Sequence, residues 1–452
     1  MKYGIAFFLL LLWMATAGVI LVAPSLQAQA AQAYDYSEID NHALNAPASA
    51  ERSIENLAAY LTQPAHNDRE KARAIYRWVT KNITYDVQSL NRARTAKDRS
   101  LSARDTLESR GAACAGYSQL FQQLAKAAGL KSVEIDGASK GVGYAIDPRK
   151  NDSLGHQWNA VSIDGKWCMI DCAWGAGYVS DQGQYVREFD EHFFLTSPEE
   201  FIYDHFPTDP RWQCLSRPLS KEEYDNLPCV GPAFFRNSLK VVGQDQAMIK
   251  ADDSVILTFS APEGVLIMAK LIMTKLVMAK LVGDSGTDRP LAIAQREDGQ
   301  YKIYASLPRI GKYTLEVFVK RADDPGKYSL AASYFVEATK GAGEGTGFPE
   351  TFSAFSEKNG RVYLPMSGRL KSGGLYQFRI KAPGAEEVAV ISGGEWVRLT
   401  KNDDTFEGRV TPGSGKVKVA AKYPGQKSFS VLLEYQADDL GSRLPAALVV
   451  TE

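Results

Sequence analysis

Two rhythms of apolar positions divide the chain, and the change between them comes near residue 230. Before it, hydrophobic residues recur three and four apart, the spacing of one helix face. Residues 53–61 and 69–81 carry that spacing, with Ala72, Ile75, Tyr76 and Val79 on the inner face of the second run and Asn67 or Asp68 placed to cap it. The next phrase, Trp78-Val-Thr-Lys-Asn-Ile-Thr-Tyr-Asp86, runs out of the helix into an extended Ile83-Thr-Tyr85. A short helix over 103–109 follows Ser102 as its cap and stops before Gly111. Tyr117, Leu120, Phe121, Leu124 and Ala128 then mark another helix, which Gly129 closes by favouring a left-handed cap. A strand-rich segment follows to about residue 170.

After residue 230 the period shortens to two. Residues 255–259, 301–304, 313–319 and 328–336 alternate apolar and polar positions between Gly, Pro and Asp, as the strands of an all-β sandwich do. Lys340-Gly-Ala-Gly-Glu-Gly-Thr-Gly347 has the composition of a linker. A second β-rich block takes in 362–364, 376–380, 388–390, 416–421 and 429–435. Both blocks have the size of immunoglobulin-like domains. Within the first, Ile267-Met-Ala-Lys-Leu271, Ile272-Met-Thr-Lys-Leu276 and Val277-Met-Ala-Lys-Leu281 are three copies of one pentad. Five matches neither the helix nor the strand period, and three lysines argue against a membrane span. The pentads are expected to be a duplicated strand segment whose surplus, about ten residues, forms a long hairpin or bulge.

The first thirty residues are of different material. Lys2 precedes an uncharged apolar run to Ala23, then Pro24, Ser25 and the small-residue sites Ala28-Gln-Ala30 and Ala31-Gln-Ala33. That order is the one a secretory signal takes, with an uncleaved N-terminal anchor as its rival because the run approaches the ~20 residues of a bilayer span. Either reading exports the remainder to a periplasmic, cell-envelope or extracellular location. The 452 residues are 45% hydrophobic, with 52 basic and 53 acidic side chains, so no basic excess points to nucleic acid. Export changes how the five cysteines are read, since disulfides become available. Cys168 and Cys172 lie about 13 Å apart on a strand, too far to bridge. Cys214 with Cys229 is the easiest pair, and Cys114 is the candidate free thiol.

Cys114 falls at the start of its helix, where unpaired amides and the macrodipole favour a thiolate. A nucleophile needs a base and a group that orients the base. His156 opens Gly155-His-Gln-Trp-Asn-Ala-Val-Ser-Ile-Asp-Gly-Lys-Trp-Cys-Met-Ile-Asp-Cys-Ala-Trp-Gly175, and Asp164-Gly165 is a strong two-residue hairpin signal. With those two residues as the loop, Ile163 pairs with Lys166, and Asp171 falls opposite Trp158 with His156 as its diagonal neighbour on the same face. Cys114 is therefore expected as the nucleophile, His156 as the base and later acid, and Asp171 as the orienter, with the Cys114 amide as an oxyanion donor. Tyr117, Trp158 and Trp174 are candidate supporting or substrate-binding residues. His42, His66, His192 and His205 show no metal-ligand spacing and are assigned core or surface roles. No phosphate loop or dinucleotide fingerprint is present, and neither a metal nor another cofactor is expected.

Four ordered motifs resemble the transglutaminase-like superfamily, and within it the kyphoscoliosis peptidase group. They are Trp78-Val with Asn82-Ile-Thr-Tyr-Asp86, Cys114-Ala-Gly-Tyr-Ser118, His156-Gln-Trp-Asn-Ala-Val161, and Asp164-Gly-Lys-Trp167 with Asp171-Cys-Ala-Trp-Gly175. His192-Phe-Phe-Leu195 through Trp212 resembles that group's following segment, and Leu307-Pro with Gly311-Lys-Tyr-Thr-Leu315 resembles its β-sandwich modules. The resemblance implies an α+β papain-like, transglutaminase-like catalytic domain over 34–230, a helix packed on an antiparallel sheet, with Cys114, His156 and Asp171 as its triad. Two all-β immunoglobulin-like sandwich domains, 231–339 and 348–452, would follow across a 340–347 linker. The expected activity is that of an exported cysteine peptidase or amidase acting on a protein or peptide through a thioacyl intermediate. A protein-crosslinking acyl transferase and a non-catalytic envelope adaptor are the alternatives. No calcium-loop pattern supports a calcium-dependent crosslinker. The sandwich domains would position the catalytic domain or bind a protein partner, and a membrane would be involved only through an uncleaved leader.

Overall fold

The computed structural model describes residues 34–88, 102–141, 155–180, 182–277, 280–284 and 289–439; the leader lies outside them. Helices α1 (Ser37–Leu44), α2 (Ile54–Leu61), α3 (Asp68–Asn82), α4 (Ala103–Ser109) and α5 (Cys114–Ala127) build one side of the first unit. Their starts follow the capping residues: Ser53 accepts from the Asn56 amide, Asn67 from the Glu70 amide, and Ser102 and Asp105 form a reciprocal capping box. Ala72, Ile75, Tyr76 and Val79 are fully buried, as their spacing predicts. Gly129 closes α5 at φ 77°, with the Leu130 amide donating to the Ala125 carbonyl.

Five antiparallel strands form the sheet: β1 (Ser132–Ser139), β2 (Gly155–Ile163), β3 (Lys166–Ile170), β4 (Phe194–Thr196) and β5 (His205–Pro207), in the order β4-β3-β2-β1-β5. Helix α5 packs on β2, and two polar contacts pin it there. Ser118 Oγ donates to the Trp158 carbonyl at 3.0 Å, and Asn159 Nδ2 donates to the Ser118 carbonyl at 3.1 Å. Leu120, Phe121 and Leu124 complete the contact; fully buried, each stabilises by roughly 1.5–3 kcal/mol. This is the expected arrangement of a helix packed on an antiparallel sheet.

The first sandwich comprises β6 (Lys240–Val242), β7 (Met248–Ala251), β8 (Ser254–Ser260), β9 (Val265–Val277), β10 (Lys280–Asp284), β11 (Ala292–Glu297), β12 (Gln300–Ser306), β13 (Gly311–Arg321) and β14 (Ser329–Ala338). One sheet runs from Cys229–Val230 through β14, β13 and β9 to β10, with β7 added parallel to β14; the other runs β6-β8-β12-β11. The Tyr313 hydroxyl accepts from the Arg309 amide at 3.0 Å and donates to the Arg309 carbonyl at 2.8 Å, the tie that marks immunoglobulin-like strands. The second sandwich repeats this topology strand for strand. Arg369–Lys371 joins Ser430–Asp438 in parallel as β7 joins β14, and the bulge at Val317/Phe318 recurs at Val419/Ala420.

The pentads lie in β9 and its hairpin. Residues 267–273 pair with β13 from Val319 back to Tyr313, and then Met273 to Val277 fold against Asp284 to Lys280 of β10. Surplus residues therefore extend a hairpin, as expected. A five-residue repeat inverts a strand's faces at each copy: Ile267 is buried, while the matching Ile272 lies on the other face and is half-buried.

Two expectations change. Residues 340–347 are not a free linker. The Lys340 and Gly341 amides donate to the Asp252 carbonyl, the Ala342 amide to Leu307 and the Gly343 amide to Pro308, and Thr346 is buried. Gly341 and Gly343 sit at φ 99° and 100°, so the glycines serve backbone conformation rather than looseness. The sandwiches are further joined by Arg361 on Glu297 at 3.0 Å and by the Val362 amide on Gln295 Oε1 at 3.1 Å. Nor do the cysteines pair: all five are free, and Cys229 is carried into the first sandwich by its pairing with Ser333.

Candidate active site

Cys114 is the first residue of α5, and its cap, Ala113, offers no side-chain acceptor, so the terminal amides remain available to an anion. The thiol is half-buried and interacts with the His156 side chain and the Gln157 amide. Burial pushes its pKa up, but the His156 and Gln157 contacts outweigh burial and leave it below its ordinary 9.0.

His156 is brought there by the hairpin anticipated from Asp164-Gly165. Both loop residues adopt positive φ, 51° and 77°, and the register runs from Ile163↔Lys166 to Asn159↔Ile170. Asp171 lies one residue beyond the last pair and begins α6 (Cys172–Ala176). Its Oδ1 accepts from the Ala173 and Trp174 amides at 2.8 and 3.0 Å, which caps the helix and fixes the carboxylate plane. Its Oδ2 lies 2.6 Å from His156 Nε2, leaving Nδ1 for Cys114. Burial works against a charged His156, but Asp171 prevails and raises its pKa to about 10. Asp171 is fully buried too, yet His156 and His205 hold its carboxyl well below the usual carboxylate range.

His205 is the residue that sequence reasoning missed. Placed among core or surface histidines, it enters the site on the edge strand β5, with Nε2 3.0 Å from Asp171 Oδ2 and Nδ1 2.6 Å from Asp204 Oδ1. Gly137 of β1, paired with both His156 and Pro207, permits this approach. A Cβ there would meet the Phe206 carbonyl oxygen at 2.3 Å and the Trp158 ring at 2.4 Å. The His205 ring stacks on Phe201 at 3.9 Å and contacts Trp174 and Trp158 at 4.5 and 5.0 Å. The ligand-type atoms of His156, Asp171 and His205 lie within 4.8 Å of one another, but they are engaged as hydrogen-bond partners. No motif spacing could have flagged His205; its appearance in the family-like segment after the triad was the available signal.

Tyr85 is a second addition. The strand pair Thr84↔Gly111 and Tyr85↔Ala112 ends two residues before Cys114, and it brings the Tyr85 phenol beside Cys114. Burial, with Cys114 adding to it, pushes the Tyr85 phenol well up and keeps it neutral. Among the proposed supporting residues, Tyr117 is buried with its hydroxyl on the Ile83 carbonyl at 2.7 Å, closed to any substrate. Trp158 is also buried, and Trp174, half-buried, packs against His156 at 5.5 Å.

Residues 55–172 match the transglutaminase-like superfamily, and residues 221–349 match the KY-like, immunoglobulin-like domain. The chain is 24% identical to kyphoscoliosis peptidase of Homo sapiens over 92% of its own length and 78% of that protein. It is 32% identical to hillarin of Drosophila melanogaster over 49% of its length and 28% of that protein. Residues 55–172 thus carry a transglutaminase-like domain, followed over 221–349 by a KY-like, immunoglobulin-like domain.

Proposed function

We propose that the protein is a cysteine peptidase or amidase acting on protein or peptide amides. The observation that supports this most is the Cys114–His156–Asp171 chain, in which a depressed thiol meets one ring nitrogen and a buried carboxylate holds the other. The thiolate attacks the amide carbonyl carbon, and the Cys114 amide at the helix start is the donor offered to the oxyanion. As the C–N bond breaks, His156 Nδ1–H gives its proton to the departing amine, leaving an acyl group on Sγ. Water then attacks the thioester, His156 accepts its proton, and the acid and the Cys114 thiol are released. The leader-like first thirty residues support export.

The test is mass spectrometry of peptide mixtures incubated with the protein, with and without a primary amine, against Cys114→Ala. Carboxylic products formed in both conditions support hydrolysis. Amide products formed only with amine turn the assignment to acyl transfer. No product in either, together with a Cys114 alkylation rate equal to that of a free thiol, refutes an enzyme.

A further inference from the structure

We propose that His205, held by Asp204, is a positioning residue that loosens the grip of His156 on its proton through the oxygen the two rings share on Asp171. The inference rests on Cys114 and His156 being the reacting pair.

Asp171 is ionised and can only accept, so His205 Nε2, 3.0 Å from Oδ2, must carry a hydrogen and donate. On the other side, Nδ1 lies 2.6 Å from Asp204 Oδ1, a contact that requires a proton between them, on the ring or on the carboxyl. Either placement gives the Asp204–His205 pair one shared proton and fixes Nε2–H as the donor toward Asp171. Orientation of Asp171 does not need this bond, because the Ala173 and Trp174 amides already hold Oδ1. What His205 changes is charge. Oδ2 serves two donors, so each ring has less of it, and His156 binds its proton less firmly than it would beside Asp171 alone. A base that must return its proton to a leaving amine gains from that restraint.

Other titratable groups face this cluster. Tyr76, Cys172 and Tyr85 adjoin Asp171, and burial keeps all three neutral. His192, Lys140 and Cys229 adjoin Asp204; burial lowers His192, brings Lys140 to about 8 and raises Cys229. None of these differs between the two variants compared below.

The experiment follows alkylation of Cys114 by iodoacetate against pH, resolved from the other cysteines by peptide mapping. The reagent is anionic, so its rate falls as His156 loses its proton, and the alkaline limb reports on that ring. Asp204→Asn is the common background, which avoids leaving a carboxylate without its ring partner. In it, His205→Gln places an amide N–H near the Nε2 position, whereas His205→Phe keeps the aromatic packing and removes the donor. The alkaline limb is expected to move up by about half a pH unit in the Phe variant relative to the Gln variant. Coincident limbs, or a downward shift, with both variants folded by thermal melting, would overturn the inference alone. A Cys114 rate in the unmodified protein that rises like a free thiol, with no alkaline fall, would defeat the nucleophile assignment and this inference with it.

Discussion

Asp171→Asn is the most informative single change, because one atom replacement reverses a hydrogen-bond polarity. Four donors converge on the carboxylate: His156 and His205 at 2.6 and 3.0 Å on Oδ2, and the Ala173 and Trp174 amides at 2.8 and 3.0 Å on Oδ1. Asparagine can keep Oδ1 for the amides and so retain the cap of α6. Its NH2 group then faces His156 Nε2, which must give up its hydrogen and become an acceptor. That places the imidazole proton on Nδ1, the nitrogen that has to receive the thiol proton. The charge also goes. His156 stands at about 10 against an ordinary 6.5 because Asp171 overcomes burial, and without the carboxylate burial acts unopposed. Cys114 loses its cationic partner, and its pKa returns to 9.0 or higher. At pH 7 a thiol of that pKa is about 1% thiolate, so alkylation should fall, by at most roughly 100-fold. Peptide turnover, which needs the correct tautomer as well, should fall further, by about 10⁴-fold. Stopped-flow alkylation at pH 7 with iodoacetamide, beside the peptide assay, measures both. An Asp171→Asn protein that is folded and alkylates within threefold of the parent would refute the tautomer and charge argument together.

Three further outcomes are expected. His156 holds a proton in the folded protein up to about 10, whereas the unfolded chain loses it near 6.5. In Cys114→Ser, where Asp171 still raises the His156 pKa but Cys114 no longer adds to it, the unfolding free energy should fall as pH rises above about 6.5, by at most about 1.4 kcal/mol per unit, and adding His156→Gln should flatten the slope. In the parent the slope should be weak, because a Cys114 thiolate offsets the extra proton; denaturant melts across pH check all three. Gly116→Ala should destabilise by about 1–2 kcal/mol despite a helix-propensity gain of roughly 1 kcal/mol, since the new Cβ would lie 2.5 Å from Ala112 Cβ and 2.7 Å from Thr106 Oγ1. Thermal unfolding decides the sign, and a stabilised variant would contradict the close approach. Deleting residues 272–281 joins Leu271 to Val282 and leaves the β9–β13 pairing up to Leu271, so the melting temperature should drop by no more than about 4–8 °C, the equivalent of ~1 kcal/mol.

Much of the site was legible because its parts are local. The Asp164-Gly165 turn sets the register of β2 and β3, and that register alone brings His156 toward Asp171. Ser53, Asn67 and Ser102 start their helices with hydroxyl or amide oxygens within three residues of the amides they satisfy. What the strand pattern obscured is that Asp171 leaves the strand and caps α6, which gives each carboxylate oxygen its own task. Residues 340–347 do run between the sandwiches, but their glycines mark positive φ in a tied segment rather than freedom, and composition cannot separate the two.

The amino-acid sequence by itself determined the helix faces, the alternating strands, the hairpin and the cysteine at a helix start, because each depends on residues a few positions apart. Only the tertiary structure decided that His205 and Tyr85 join the site. His205 is 34 residues from Asp171, and Tyr85 reaches Cys114 through the pairing of two short strands. Such contacts follow from which edges of the sheet and which chain ends become neighbours, and no period or local propensity encodes that. The physical reason is range: turns and caps are closed by short loops, whereas the second ring on Asp171 depends on β1 accepting β5 across a glycine that leaves room for it.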